Sequence, residues 1–240
     1  ERDQAGLSAN LRSEAVQQAE TRGMKGKLVI TNTRSSMEPF LTFSSRRDLR
    51  EKGWRMFTNR GNNNDEHDNK ATISEILKLR AERARILGFP THAHWILDDN
   101  MAKTPEAALS LMTRVWKSAV GRIHEEVADM QAIADKEGTG VTIEPWDYRY
   151  YAELVRQAKF DIDHNEVKQY LRLDRMRDGM FWAAKQVYGL DLVKTEGLPT
   201  VHPDVTVYEV RRGDKQIGLW YFDPYAREGK RSGAWMNEYR

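Results

Sequence analysis

Apolar residues recur every three or four positions through most of the chain and alternate only near its end. Over residues 3–22, Leu7, Leu11, Ala15 and Ala19 form one stripe, which predicts an amphipathic helix ended by Gly23 and Gly26. KLVIT (27–31) is a short strand candidate. Leu49, Trp54, Met56 and Phe57 mark a pair of short helices over 36–58, and NRGNNNDEHDN (59–69) is a polar loop. A helix through ATISEILKLRAERARILGF follows, with Ile73, Ile76, Leu77, Leu79, Ala84 and Leu87 as its apolar set and Gly88 as its natural C-terminal residue.

The strongest periodicity lies beyond Thr104. Thr104 suits an N-cap, Pro105 the first helical position and Glu106 the positive end of the helix dipole. Ala108, Met112, Val115, Trp116, Ala119, Ile123, Val127, Met130 and Ile133 then recur at spacings of three and four. They predict one helix of about 33 residues, roughly 50 Å long, stopped by Gly138 and Gly140. Two more helices are expected near 145–158 and 173–188.

After Gly189 the pattern changes. VTVYEVRR (205–212) and QIGLWYFDPY (216–225) are β-branched and aromatic, and RGDK between them supplies the turn of a hairpin. SGAWM (232–236) would be the next strand. The predicted fold is mainly α with a small antiparallel-rich β-sheet near the C-terminus, an α+β architecture divided into a helical region, 1–190, and a sheet region, 191–240.

Composition narrows the function classes. The 240 residues are 40% apolar and 10% aromatic, enough for a packed core. Lys and Arg number 38 against 36 Asp and Glu, so the net charge is only +2 and no basic run marks a nucleic-acid surface. There is no cysteine, which excludes disulfides, thiolate metal sites and a cysteine nucleophile. No apolar stretch approaches the length of a membrane span. The N-terminus lacks Met and opens inside a helix-like pattern, so both ends read as cut.

Motifs alone yield no catalytic site. In RIHEEVA, His124 and Glu125 begin an H-E-x-x-H pattern, but Ala128 stands where the second His belongs, and a solvated helix face is the plainer reading. His92 and His94 in THAHW would diverge on a helix, as would Asp98 and Asp99. His202 sits in a loop entering a strand, and a structural role suits it. REGKRSG is too short and too poor in glycine for a phosphate loop.

Four stretches together carry a resemblance: RILGFPTHAHWILDDNMAKTPEAAL (85–109), EPWDYRYYAELVRQAKFDID (144–163), HPDVTVYEV (202–210) and YFDPYAREGKRSGAWM (221–236). In this order and spacing the chain resembles the zinc oligopeptidases of the thimet-oligopeptidase type, on the side of their bacterial peptidyl-dipeptidases. The resemblance implies a two-lobed, mainly helical metallopeptidase with a deep channel, cleaving short unstructured peptides with one zinc. That zinc would be held by an H-E-x-x-H helix and a later Glu, with the motif Glu activating water. H-E-x-x-H belongs some tens of residues beyond GAWM, and these 240 residues contain none. Zinc is therefore expected in the full-length enzyme and not in this chain, which reads as the middle segment and as inactive alone.

On this resemblance, residues 1–190 would supply scaffold and channel wall, and 191–240 a small sheet beside the zinc helix. An extended substrate would pair with its edge, where Gly233 and Ala234 leave the backbone bare and Trp235 packs beneath or lines a pocket. Gly233, Ala234 and Trp235 are the candidate substrate-binding residues, with no catalytic or metal-binding residue assigned. Short peptides are the implied partners, nucleic acid and membrane are not, and faces left exposed by truncation could pair two chains. The absence of Cys suits the cytoplasm, with the periplasm open because the native N-terminus is missing. The alternative is a non-catalytic helical interaction module.

Overall fold

The computed structural model describes residues 2–160, 162, 164–227, 229–230, 233 and 235–238. They divide into two compact units, 1–160 and 161–240.

The first unit is helical. Helix α1 (Ala9–Glu20) follows a short 3-10 turn, and Ser8 starts it by accepting a hydrogen bond from the Leu11 amide at 3.3 Å. Leu7, Leu11, Ala15 and Ala19 are all buried, as their spacing requires. KLVIT does not form a strand. It runs beside α1 with the Val29 amide donating to the Ala15 carbonyl at 3.0 Å, because among the described residues no second strand lies alongside to complete a ladder. Helices α2 (Arg34–Phe43) and α3 (Arg47–Thr58) close the first core, in which Met37, Phe40 and Leu41 pack with Leu7, Leu11, Leu49, Trp54 and Phe57. Gly53 allows their close approach: a Cβ there would lie 3.1 Å from the Met37 sulfur.

Helix α4 (Lys70–Ile86) forms as its periodicity predicts, and Gly88 reverses the chain at φ +81°. Of its apolar set only Ala84 is buried; Ile73, Ile76, Leu77, Leu79 and Leu87 are exposed. Helix α5 (His92–Leu97) is one short turn-and-a-half capped by Thr91. Helix α6 (Pro105–Lys136) spans 32 residues, and its N-cap Thr104 accepts from the Ala107 amide at 3.2 Å. Its C-terminal half builds the second core, where Met130 and Ala134 meet Tyr151 of α7 (Tyr148–Phe160). The Gln131 amide group holds the returning chain, donating to the Val141 carbonyl at 2.8 Å and accepting from the Ile143 amide at 3.0 Å.

The second unit contains α8 (His164–Tyr170), α9 (Leu173–Tyr188) and a three-stranded antiparallel sheet in the order β1 (Asp191–Thr195), β2 (Thr206–Arg212), β3 (Lys215–Phe222). The β2–β3 hairpin turns at Gly213 (φ +59°) between the paired Arg212 and Lys215. Strand β1, unmarked by any sequence alternation, pairs with β2 from Asp191↔Arg211 to Thr195↔Val207. Phe181 of α9 meets Tyr208 and Trp220 at ring distances of 5.0 and 5.7 Å, which fixes one sheet face against the helix. Helix α9 therefore belongs with the sheet, and the compact unit begins some thirty residues before the boundary read from sequence. Among the described residues, no helix is long and apolar enough to cross a membrane.

Candidate functional site

The sheet offers one open side. Residues 219 and 221 of β3 alternate with Trp220 and so point away from the face held by Phe181, and Leu219 and Tyr221 are exposed there. Strand β3 pairs with β2 on one side, and among the described residues no strand pairs with its other edge. An edge of this kind presents main-chain donors and acceptors to an extended peptide, and its apolar side chains offer contact.

Beyond β3 the chain is tied down by charge. Arg227 grips the Asp223 carboxylate at both oxygens, 2.6 Å each. The Lys230 ammonium donates to the Asp223 carbonyl at 2.9 Å and the Tyr225 carbonyl at 2.6 Å, and lies 2.8 Å from Asp223 Oδ1. The hydrogen bonds from Arg227 and Lys230 hold the Asp223 carboxyl well below the usual carboxylate range, and Asp223 in turn raises the Arg227 guanidinium. Sequence reading missed this trio. Its signal was an Asp four residues before an Arg and seven before a Lys, in a stretch too irregular to read as a helix face.

The predicted site residues follow. Gly233 has φ +129°, a conformation that side chains disfavour, so glycine is required there by the backbone itself. The same angle takes Gly233 out of a regular strand, and neither it nor residues 235–238 join the sheet. Trp235 is 76% exposed and Met236 89% exposed, so the indole does not pack beneath the backbone. A Cβ built on Gly233 would meet the Trp235 ring at 3.9 Å, an ordinary contact that places the two side by side. Ala234 lies outside the described residues.

The other polar candidates have local partners. Arg122 pairs with Glu125 at 2.9 Å and Glu126 at 3.2 Å, and Glu126 accepts from the Tyr148 hydroxyl at 3.0 Å, so the RIHEEVA stretch is an ion-paired helix face. His94 Nδ1 bonds the Thr91 hydroxyl at 2.8 Å, while the His92 ring lies tilted against Trp95 at 5.5 Å with its Nδ1 buried and unpartnered. Desolvation, aided by Arg80 and Arg83, lowers the His92 pKa and favours the neutral ring. The Asp98 carbonyl accepts from the Lys103 ammonium at 3.1 Å, and His202 Nδ1 accepts from the Asp204 amide at 3.2 Å. Among the described residues no group of three His, Asp or Glu side chains could hold a metal, so the donor set does not fit zinc.

Comparison with known proteins places the chain in a family. Residues 40–240 match Peptidase family M3. The chain is 37% identical to the dipeptidyl carboxypeptidase of Escherichia coli (strain K12) over 241 residues, covering 98% of this chain and 35% of that protein. It is 32% identical to oligopeptidase A of the same organism over 243 residues, covering 99% of this chain and 36% of the relative. The organellar oligopeptidase A of Arabidopsis thaliana is 34% identical over 218 residues, 89% of this chain and 27% of that protein. The chain thus spans about a third of the length of the curated relatives it matches. With the match running from α2 to the final residue, the chain belongs to peptidase family M3.

Proposed function

We propose that these residues form the scaffold and part of the substrate-binding surface of a zinc-dependent peptidase that hydrolyses short peptides, of the peptidyl-dipeptidase or oligopeptidase kind. The observation that carries the reading is the near-complete coverage of this chain by the dipeptidyl carboxypeptidase and oligopeptidase A matches. The geometry supports a binding role: a β3 edge that no strand among the described residues pairs with, Leu219 and Tyr221 exposed on the open sheet face, and a bare backbone at Gly233 beside an exposed Trp235. Main-chain pairing at such an edge gives affinity without demanding a particular substrate sequence. The 240 residues contain no H-E-x-x-H, so the zinc and its activated water would be supplied by residues outside this stretch. On this reading the chain alone has no hydrolytic activity.

The test compares the 240-residue chain with the longer polypeptide carrying an H-E-x-x-H helix. Zinc content is measured together with release of dipeptides from N-blocked peptides. Chelator-sensitive hydrolysis by the longer polypeptide only is the expected result. Near-stoichiometric zinc and turnover in the 240-residue chain would overturn the assignment of a binding role alone.

A second reading, a non-catalytic interaction module, is favoured by the exposed apolar residues of α4 and of the first half of α6, among them Leu77, Met112 and Trp116. Loss of zinc-dependent hydrolysis from the longer polypeptide, with partner binding retained, would select it.

A further inference from the structure

We propose that Lys70 is a built-in cation: its ammonium locks the loop between α3 and α4, and this lock, rather than side-chain packing, fixes the first turns of α4. The device belongs to the helical unit and does not depend on the peptide-binding reading.

Helix α4 has little packing at its start. Of its 17 residues only Ala84, in the last turn, is buried, while Ile73, Ile76, Leu77 and Leu79 are exposed. Its close packing is with α5, where the Arg83 guanidinium lies over the Trp95 ring at 4.2 Å, near the C-terminal end of α4. The N-cap residue Asn69 makes no side-chain capping bond. A first turn that is neither capped nor packed frays.

The loop supplies what packing does not. Asp68 Oδ1 accepts from the Lys70 amide at 3.0 Å, and Oδ2 accepts from the Asn64 amide at 2.8 Å. The Lys70 ammonium donates to Asp68 Oδ2 at 2.6 Å, Asn64 Oδ1 at 2.8 Å and Asn62 Oδ1 at 3.0 Å. Three donors meet three oxygens, so the ammonium is satisfied within the loop. Asn and Asp oxygens converging on one point are how loops hold a metal cation, and here the chain's own side chain fills that point. The ends of the loop also close on each other. The Asn69 amide donates to the Gly61 carbonyl at 2.8 Å, and a Cβ at Gly61 (φ +69°) would lie 2.5 Å from Asn69 Nδ2. Asn64 is held at φ +56°, in the left-handed region that asparagine tolerates. The Asp68 side chain is only 16% exposed, unlike the open pairs that contribute little. Hydrogen bonds from the Lys70 ammonium and from the Lys70 and Asn64 amides lower its carboxyl pKa to about 2. Because α4 carries an exposed apolar face, the lock also sets how that face is presented.

The experiment compares the 240-residue chain with its Lys70→Met, Asp68→Asn, double and Lys78→Met variants by amide hydrogen exchange. Met keeps helix propensity, so Lys70→Met removes the ammonium and little else. Lys78 lies on the same helix away from the loop and serves as the control. Lys70→Met and Asp68→Asn are each expected to speed exchange about tenfold or more at the amides of Asn64, Asn69 and Ile73, which donate to Asp68, Gly61 and Asn69. Exchange at Met130 and Ala134 in the second core should stay within about twofold of wild type. The double variant should add little to either single one, because one network is being opened. The Lys70 side chain is half exposed, so its loss leaves both cores intact, and Lys70→Met carries the test if Asp68→Asn does not fold. Unchanged exchange at the three amides in folded Lys70→Met would overturn the proposal. Equal acceleration in Lys78→Met would also overturn it, since any lysine of α4 would then do the same. Acceleration that spreads equally to Met130 would overturn it too, as a loss of global stability instead of an opened lock.

Discussion

Arg50 and Asp147, ninety-seven positions apart in sequence, meet at 2.8 Å with both side chains almost wholly withdrawn from solvent (2% and 0% exposed). Arg50 also donates to the Ser44 carbonyl at 2.7 Å and stacks over Tyr150 at 4.2 Å, while Arg47 holds the other Asp147 oxygen at 2.8 Å. The Glu144 amide donates to the same carboxylate at 3.3 Å. The pair ties α3 to the turn that opens α7, and so joins the two helical cores of the first unit.

Removing one partner strands the other without water. Asp147→Ala is expected to destabilise the first unit by about 3–5 kcal/mol, because two guanidinium groups lose their counter-charge. Arg47→Ala should cost distinctly less, its side chain being 38% exposed. Denaturant unfolding of the 240-residue chain measures both; equal costs would show that burial does not rank them.

Trp235 separates binding from stability. An exposed indole contributes little to folding, so Trp235→Ala should leave the unfolding free energy within about 0.5 kcal/mol of wild type. In the active peptidase it should raise KM for short peptides, on the reading of this segment as peptide-binding. A large loss of stability would mean instead that the ring is covered in the whole protein.

The pH dependence of the Asp223–Arg227 pair follows from the sign of the Asp223 shift. Its folded pKa lies below the unfolded value near 3.9. Its stabilising effect is thus complete above the unfolded value and is lost only as pH falls through the lower folded one. Carboxyl NMR should show Asp223 still ionised at pH 4, and Arg227→Gln should move its midpoint upward. An Asp223 midpoint at the ordinary carboxylate value would contradict the observed fork.

The apolar face of α4 has an outcome in solution. Ile73, Ile76, Leu77 and Leu79 are exposed together, and Trp116 and Met112 are exposed on α6. The 240-residue chain is expected to self-associate with rising concentration, and Leu77→Glu to weaken that association without lowering stability. Sedimentation velocity of the two proteins decides it; an unchanged profile would remove α4 from the contact.

Much of the helical architecture was legible because its signal is local. The Leu7–Leu11–Ala15–Ala19 stripe and the Thr104-Pro105-Glu106 start each state their own structure, and the RGDK turn sits where the hairpin needs it. Strands depend on a neighbour. KLVIT has strand propensity but no ladder, whereas DLVKT, with two charges in five residues, becomes β1 because β2 lies beside it. The same limit applied to the candidate site. GAWM named the residues, but the positive φ of Gly233 and the exposure of Trp235 are set by the chain around them. The Asp223, Arg227 and Lys230 trio was hidden because spacings of four and seven in an irregular stretch say nothing about which side chains meet.

The long helix α6 has one further consequence. Its last turns are clamped between Tyr151 and the Gln131-held return, while Leu109, Leu111 and Met112 of its first turns face solvent. One continuous helix is thus held firmly at its C-terminal end and only lightly, against α5, near its start. Amides near Met130 should exchange only through opening of the whole core, and those near Leu109 through fraying. The protection factors would trace a gradient along a single rod, steepest where its packing begins.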